Sequence, residues 1–296
     1  MLYTYLAGKA TGEVDRHTMA EREQQSPTGL PAGVAAAWGL EERPGRGPAR
    51  GLDARRIVAA AIAVADAEGL GALSMNRVAA EIGVSTMALY RHVAGKEDLL
   101  ILMEDEAIGV PVPGPPAEDG WRAGMEHWAR AYHAVLQRHR WIVRIPIGTP
   151  PLSPHGVEWM EQALACLRET GLDAEQKLGV LITLSGYTRS NVALMADIAE
   201  ASRRDGPGWQ DAERRYWQLL RQLTGTGRFP AIREMLDSGE VREDSEDSED
   251  AGAGAEGAAD GAEYVGNSAD TGGFTFGLTA ILDGVEALIA ARAERE

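Results

Sequence analysis

From Asp53 onward, apolar positions recur at helical spacing almost to the end of the chain. The first periodic stretch, DARRIVAAAIAVADAEG, puts Ile57, Ala61, Val64 and Ala65 on one face, with Asp53 as cap and Gly69 as stop. SMNRVAAEIG starts at a capping Ser74 and ends at Gly83, and STMALYRHV is a short helix capped by Ser85. KEDLLILMEDEAIG forms a fourth helix, from Lys96 to Gly109. VPVPGPPAEDG then breaks the pattern, because proline and glycine interrupt helices. WRAGMEHWARAYHAVLQRHR resumes it, and Ser153 with Pro154 opens a helix that ends at Gly171. Asp173 and Gln176 have the spacing of a capping box ahead of a long helix running toward Arg204. WQDAERRYWQLLRQL, FPAIREML and FTFGLTAILDGVEALIAARAERE complete the series. No pair of strands and no internal repeat is visible, so the expected fold class is all-α.

The flanks differ in composition. Residues 1 to about 40 show no period and read as a mobile arm. RPGRGPARG follows, in which Arg43, Arg46 and Arg50 are spaced by residues that forbid a regular helix. The expected division is a flexible arm over 1–50, a three-helix domain over 51–110 and a larger helical bundle over 117–296. The bundle is interrupted by a disordered acidic loop over 238–272.

Charge changes the picture only locally. The chain of 296 residues carries a formal net charge of -16, but the stretch from Asp237 to Gly273 alone holds twelve acids against Arg242. That stretch is rich in Gly, Ala and Ser and too poor in large apolar groups to offset its ordering entropy. Local charge, not the total, decides affinity for a polyanion. Five arginines and one acid lie between Arg43 and Arg56. A single cysteine, Cys166, excludes an internal disulfide and a cysteine metal cluster, and is expected as a small apolar side chain on a helix. No basic n-region precedes an apolar h-region, and no apolar run long enough for a membrane helix stands out. The expectation is a soluble cytoplasmic protein with no membrane partner.

RVAAEIGVSTMALYRHV has the skeleton of a helix-turn-helix. Val78 and Ala79 face inward, Gly83 supplies the positive φ of the turn, and Val84 and Leu89 bury the junction. The outward set on the second helix is expected to be Ser85, Thr86, Met87, Ala88, Tyr90, Arg91 and His92, which suits phosphates and base edges. A plain helical hairpin within a core has a similar pattern. The full stretch LSMNRVAAEIGVSTMALYRHVAGKEDLL resembles the DNA-binding signature of the tetracycline-repressor family, over about fifty residues. The resemblance implies that Ser74, Met75 and Asn76 set the supporting helix against the DNA backbone. It implies that Thr86, Met87 and Ala88 reach bases, that Tyr90, His92 and Lys96 hold phosphates, and that Arg91 does either. Arg43, Arg46 and Arg50 form a basic arm suited to phosphates or a minor groove.

Residues 117 to 296 are similar to the C-terminal domain of the same family, through WARAYHAVLQRHRWIVR, GVEWMEQALACLRETGLDAEQKLGVLITLSGY and FTFGLTAILDGVEALI. The resemblance implies a homodimer joined through the helix around 174 to 203 and the last helix, and a small-molecule effector. Candidate effector contacts are Trp128, Tyr132, Trp141, Thr149, Trp159, Gln162, Tyr187 and Asn191. Each aromatic among them has a second reading as core. Drug-binding members hold a magnesium chelate through a histidine in His-x-Gly-Thr; here Pro146 occupies that place, with Gly148 and Thr149 kept. Gln162 falls where those members place a glutamine. Proline cannot ligate a metal, so a different and more apolar effector is expected, with no metal and no cofactor.

His127, His133 and His139 recur at intervals of six, which puts them on different helix faces, and no nucleophile has a base beside it. The reading that follows is a repressor, not an enzyme, released from a palindromic DNA operator by its effector. Two alternatives remain at this point. One is an enzyme or carrier built on a helical bundle, and the other is a regulator controlled by a protein partner through the acidic loop.

Overall fold

The computed structural model describes residues 30–40, 52–147, 151–205, 209–225, 227–238 and 271–294. Arg43, Arg46, Arg50, Thr149 and all but the edges of the acidic loop lie outside the described residues. Among the described residues every regular element is helical.

Eleven α-helices follow one another in the described residues. They are α1 (Ala32–Ala37), α2 (Ala54–Glu68), α3 (Met75–Ile82), α4 (Thr86–Leu89), α5 (Lys96–Ile108), α6 (Gly120–Arg138), α7 (Pro154–Cys166), α8 (Ala174–Asp205), α9 (Trp209–Leu223), α10 (Pro230–Asp237) and α11 (Thr271–Ala293). Their ends have local chemical causes. Asp53 Oδ1 accepts the Arg56 amide at 2.8 Å, and Ser74 Oγ accepts the Arg77 amide at 3.1 Å. Asp173 and Gln176 form the reciprocal capping box that starts α8, at 2.9 and 3.1 Å. Ser85 occupies the N-cap of α4 but its side chain makes no capping bond. The helix expected to reach Gly171 ends at Cys166, and a turn carries the chain to Gly171, whose φ is 73°.

The chain divides into two compact units, Met1–Arg189 with Leu278–Glu296, and Ser190–Gly277. In the first, Ile57, Leu73, Leu89, Leu99 and Met103 are fully buried around α2 to α5. Met125, Leu136, Ile142, Leu167, Leu184 and Leu278 form the buried core of the bundle. The Pro- and Gly-rich stretch after α5 therefore does not separate two units; α5 packs on α7 and α6 as well as on α2. In the second unit Leu236 is buried, and Arg221 donates to its carbonyl at 2.7 Å.

Residues 31–39 depart from the expected mobile arm. They hold α1 (Ala32–Ala37), which lies on α5, with Val34 and Ala35 buried. The Gly33 amide donates to Asp98 Oδ1 at 2.7 Å, and a Cβ at Gly33 would come within 2.9 Å of the Asp98 Cα. Only glycine permits that approach. Trp38 donates its indole N–H to the Leu152 carbonyl at 2.7 Å.

The last helix also departs from expectation. Gly273–Ala293 is long and apolar enough, by length and composition, to cross a membrane, with a mean hydropathy of 1.6. In the first unit it packs through Leu278, Leu282 and Val285, and Arg122 of α6 pairs with its Asp283 and Glu286. The opposite face carries small residues, Thr279, Ala280, Gly284 and Ala287, all exposed.

Candidate functional site

The helix-turn-helix is built on a left-handed turn at Gly83, with φ 72° and ψ 36°. The Val84 amide closes it on the Ala79 carbonyl at 3.0 Å. Ala79 is small and buried, which lets α3 and α4 approach. α4 is a single turn, and the chain leaves it through bonds from the His92 and Val93 amides to the Leu89 carbonyl. Arg77 is held on the protein by Glu68 at 2.6 Å and Glu81 at 2.8 Å. Those bonds raise its pKa and hold the Glu68 carboxyl below the usual carboxylate range.

Ser85, Met87, Tyr90, Arg91 and His92 are exposed, Met87 to 75% of its surface. Asn76 is exposed on α3, and the Thr86 hydroxyl donates to Asn76 Oδ1 at 2.8 Å. Two expected contacts are placed differently. Ala88 is buried beside Leu89, because both lie on the side of the one-turn helix that faces α3. Met75 is buried as well, at the first position of α3. Lys96 is exposed, but its Nζ donates to the Leu73 carbonyl at 2.8 Å, which ties the start of α5 to the turn before α3.

In the bundle, Trp128, Tyr132 and Trp159 form one aromatic cluster, with ring centroids 5.4 to 5.9 Å apart. The segment after α5 straps across it. Trp159 donates to the Gly109 carbonyl at 2.9 Å, Trp128 to the Trp159 carbonyl at 2.9 Å, and Gln162 Nε2 to the Val112 carbonyl at 2.7 Å. Gln162 Oε1 and His127 Nε2 are buried without a partner. Burial of the Tyr132 phenol pushes its pKa up, opposed by Arg189. Arg189 also donates to the Ile142 carbonyl at 3.0 Å and lies 3.7 Å from Glu104. Burial pushes the Glu104 carboxyl above its ordinary range, with Arg189 opposing and Asp105 adding to the shift.

Trp141 is placed apart from this cluster: it is buried and donates to Asp66 of α2. Tyr187 lies half-buried on α8 in the first unit, and Asn191 on the same helix in the second. Sequence reasoning weighed His127 only as a metal ligand and missed Glu104 and Arg189. A signal for Arg189 existed, since Leu184, Thr188 and Val192 are buried at a spacing of four and Arg189 borders that stripe.

A helix-turn-helix that exposes Met87, Tyr90, Arg91 and His92, in a chain whose described elements are all helical, is the arrangement of a DNA-binding regulator. The family model "Bacterial regulatory proteins, tetR family" matches residues 57–103, and "Tetracyclin repressor-like, C-terminal domain" matches 112–252. The HTH-type transcriptional repressor DrrR1 of Streptomyces coeruleorubidus is 36% identical over 266 residues, covering 86% of this chain and 85% of that protein. The class E tetracycline repressor of Escherichia coli is 28% identical over 138 residues, 45% of this chain and 63% of that protein. Apo ActR of Streptomyces coelicolor superposes with a TM-score of 0.58 at 26% identity, over 84% of this chain and 100% of that one. ActR in complex with actinorhodin gives a TM-score of 0.58 at 25% identity, over 81% and 97%. The chain belongs to the TetR family of bacterial transcriptional regulators. It is a DNA-binding transcriptional repressor whose C-terminal region matches the tetracycline-repressor-like C-terminal domain.

Proposed function

We propose that a cytoplasmic homodimer of this chain represses by placing α4 of each subunit in successive major grooves of an inverted-repeat operator. Met87, Tyr90 and Arg91 reach into the groove, and Ser74, Ser85 and His92 meet the backbone. Lys96 contributes through the two donors left beside its bond to Leu73. Arg43, Arg46 and Arg50 add phosphate contacts ahead of α2. The effector enters beside Trp128, Tyr132 and Trp159. The observation that carries this reading is the pair of buried polar atoms, Gln162 Oε1 and His127 Nε2, left without partners next to an aromatic cluster. Such atoms are costly when unpaired and are completed by a ligand or a water. A planar aromatic molecule with hydroxyl groups supplies both stacking area and donors. The similar ActR of Streptomyces coelicolor has been solved in complex with actinorhodin. Pro146 at the place of a metal-ligating histidine supports release without magnesium.

The test has two stages. Site selection from random duplexes should enrich an inverted repeat. Hydroxylated polycyclic aromatics, and actinorhodin, should then release the protein from that repeat equally well with and without a chelator. Failure of every such compound, or dependence on magnesium, overturns the effector reading.

A further inference from the structure

The bond between Thr86 and Asn76 has a consequence for which base is read. Thr86 is the first residue of α4 and Asn76 the second of α3, so two separate helices meet at the outer edge of the motif. The Thr86 hydroxyl has one hydrogen, and it is given to Asn76 Oδ1 at 2.8 Å. What remains on Thr86 Oγ1 is lone pairs. Asn76 is exposed, and its amide NH2 makes no recorded bond among the described residues.

We infer that Asn76 is a specificity-determining residue that converts Thr86 into a hydrogen-bond acceptor, so that Thr86 selects a base presenting an amino group in the major groove. This rests on the DNA-reading assignment above and goes beyond a backbone role for Asn76. In the major groove only adenine N6 and cytosine N4 are donors; guanine and thymine present acceptors at the matching positions. A free threonine hydroxyl rotates to donate or accept and so tolerates all four. One whose hydrogen is committed rejects guanine and thymine. The Asn76 NH2, with two donors at the start of the supporting helix, is left to a phosphate. Backbone contact and base reading are thereby joined in one side chain.

The experiment is site selection from random duplexes with the full-length wild type and with Asn76→Ala, Asn76→Asp, Thr86→Val and Thr86→Ser. The wild type should favour adenine or cytosine at one position in each half-site by about fivefold over guanine or thymine. Thr86→Val should abolish that preference at that position alone, and Thr86→Ser should keep it. Asn76→Ala frees the hydroxyl, so the same position should become nearly indifferent. Asn76→Asp retains the acceptor and should retain the preference, at lower affinity for every sequence. These side chains are at the surface, and circular dichroism checks that the variants stay folded. A uniform loss of affinity in Asn76→Ala, with its base preferences intact, would make Asn76 a phosphate contact only and overturn the inference. An unenriched wild-type pool would instead overturn the DNA-reading assignment itself.

Discussion

Asp66 of α2 accepts the indole N–H of Trp141 at 2.7 Å, and the same carboxylate lies 2.9 Å from His139 Nδ1. A helix of the DNA-binding module is thus bonded to the short 3-10 turn, residues 140–144, that ends α6. A second tie runs from α5, where Asp105 accepts the His155 amide at 2.8 Å. Two carboxylates thus tie α2 and α5 to the turn after α6 and to the start of α7.

Trp141→Phe keeps most of the buried volume and removes one donor to a partly exposed carboxylate. Stability should fall by about 1 kcal/mol in urea unfolding. Operator affinity without effector should stay near wild type, while the concentration of effector needed for release should rise.

Gly33→Ala forces a methyl to within 2.9 Å of the Asp98 Cα. Because the obstacle is backbone, α1 must move as a body. The expected cost is about 1–3 kcal/mol, set by how far α1 lifts from α5. Chymotrypsin should then cut after Trp38 faster than in the wild type. Unchanged cleavage and unchanged melting would show that α1 does not depend on this approach.

Glu104 gives a pH signature. Its pKa is raised by burial, so the folded protein holds the proton more tightly than the unfolded chain. That contribution is fully present below the ordinary carboxylate pKa and is lost as pH rises through the raised value. Glu104→Gln should flatten the profile of unfolding free energy against pH in that window. A profile as steep as the wild type's would assign the slope to another group.

Gly284 on α11 is exposed, and a Cβ added there meets nothing within 4 Å. Gly284→Leu should therefore leave the subunit folded while blocking close approach of a second copy. Sedimentation should report monomer, and affinity for a two-half-site operator should drop by about two orders of magnitude.

The sequence was most legible where one residue's chemistry acts on its near neighbours. Asp53, Ser74 and the Asp173–Gln176 pair cap the helices they were expected to cap, and Gly83 makes the turn. What stayed hidden depends on partners far along the chain. α1 is only six residues of Ala, Gly and Val, too short to show a period, and it is held by Asp98, 65 positions away. Asp66 reads as a surface acid on α2 until residues 139 and 141 fold onto it. Ala88 reads as an outward residue in the sequence, yet it shares with Leu89 the side of α4 that faces α3 and is buried. At the effector site the aromatics were nameable, but their grouping was not. Trp141 goes to Asp66 and leaves Trp128, Tyr132 and Trp159 together.

The single turn of α4 divides labour between its two sides. Leu89, Ala88 and the neighbouring Met75 hold the motif, while Met87, Tyr90 and Arg91 are exposed. Substitutions on the outer side, Met87 above all, should therefore carry a smaller folding penalty than those on the inner side. A lineage carrying this scaffold can retune which promoters it visits one side chain at a time, and duplicated copies can diverge in their targets while remaining equally well folded.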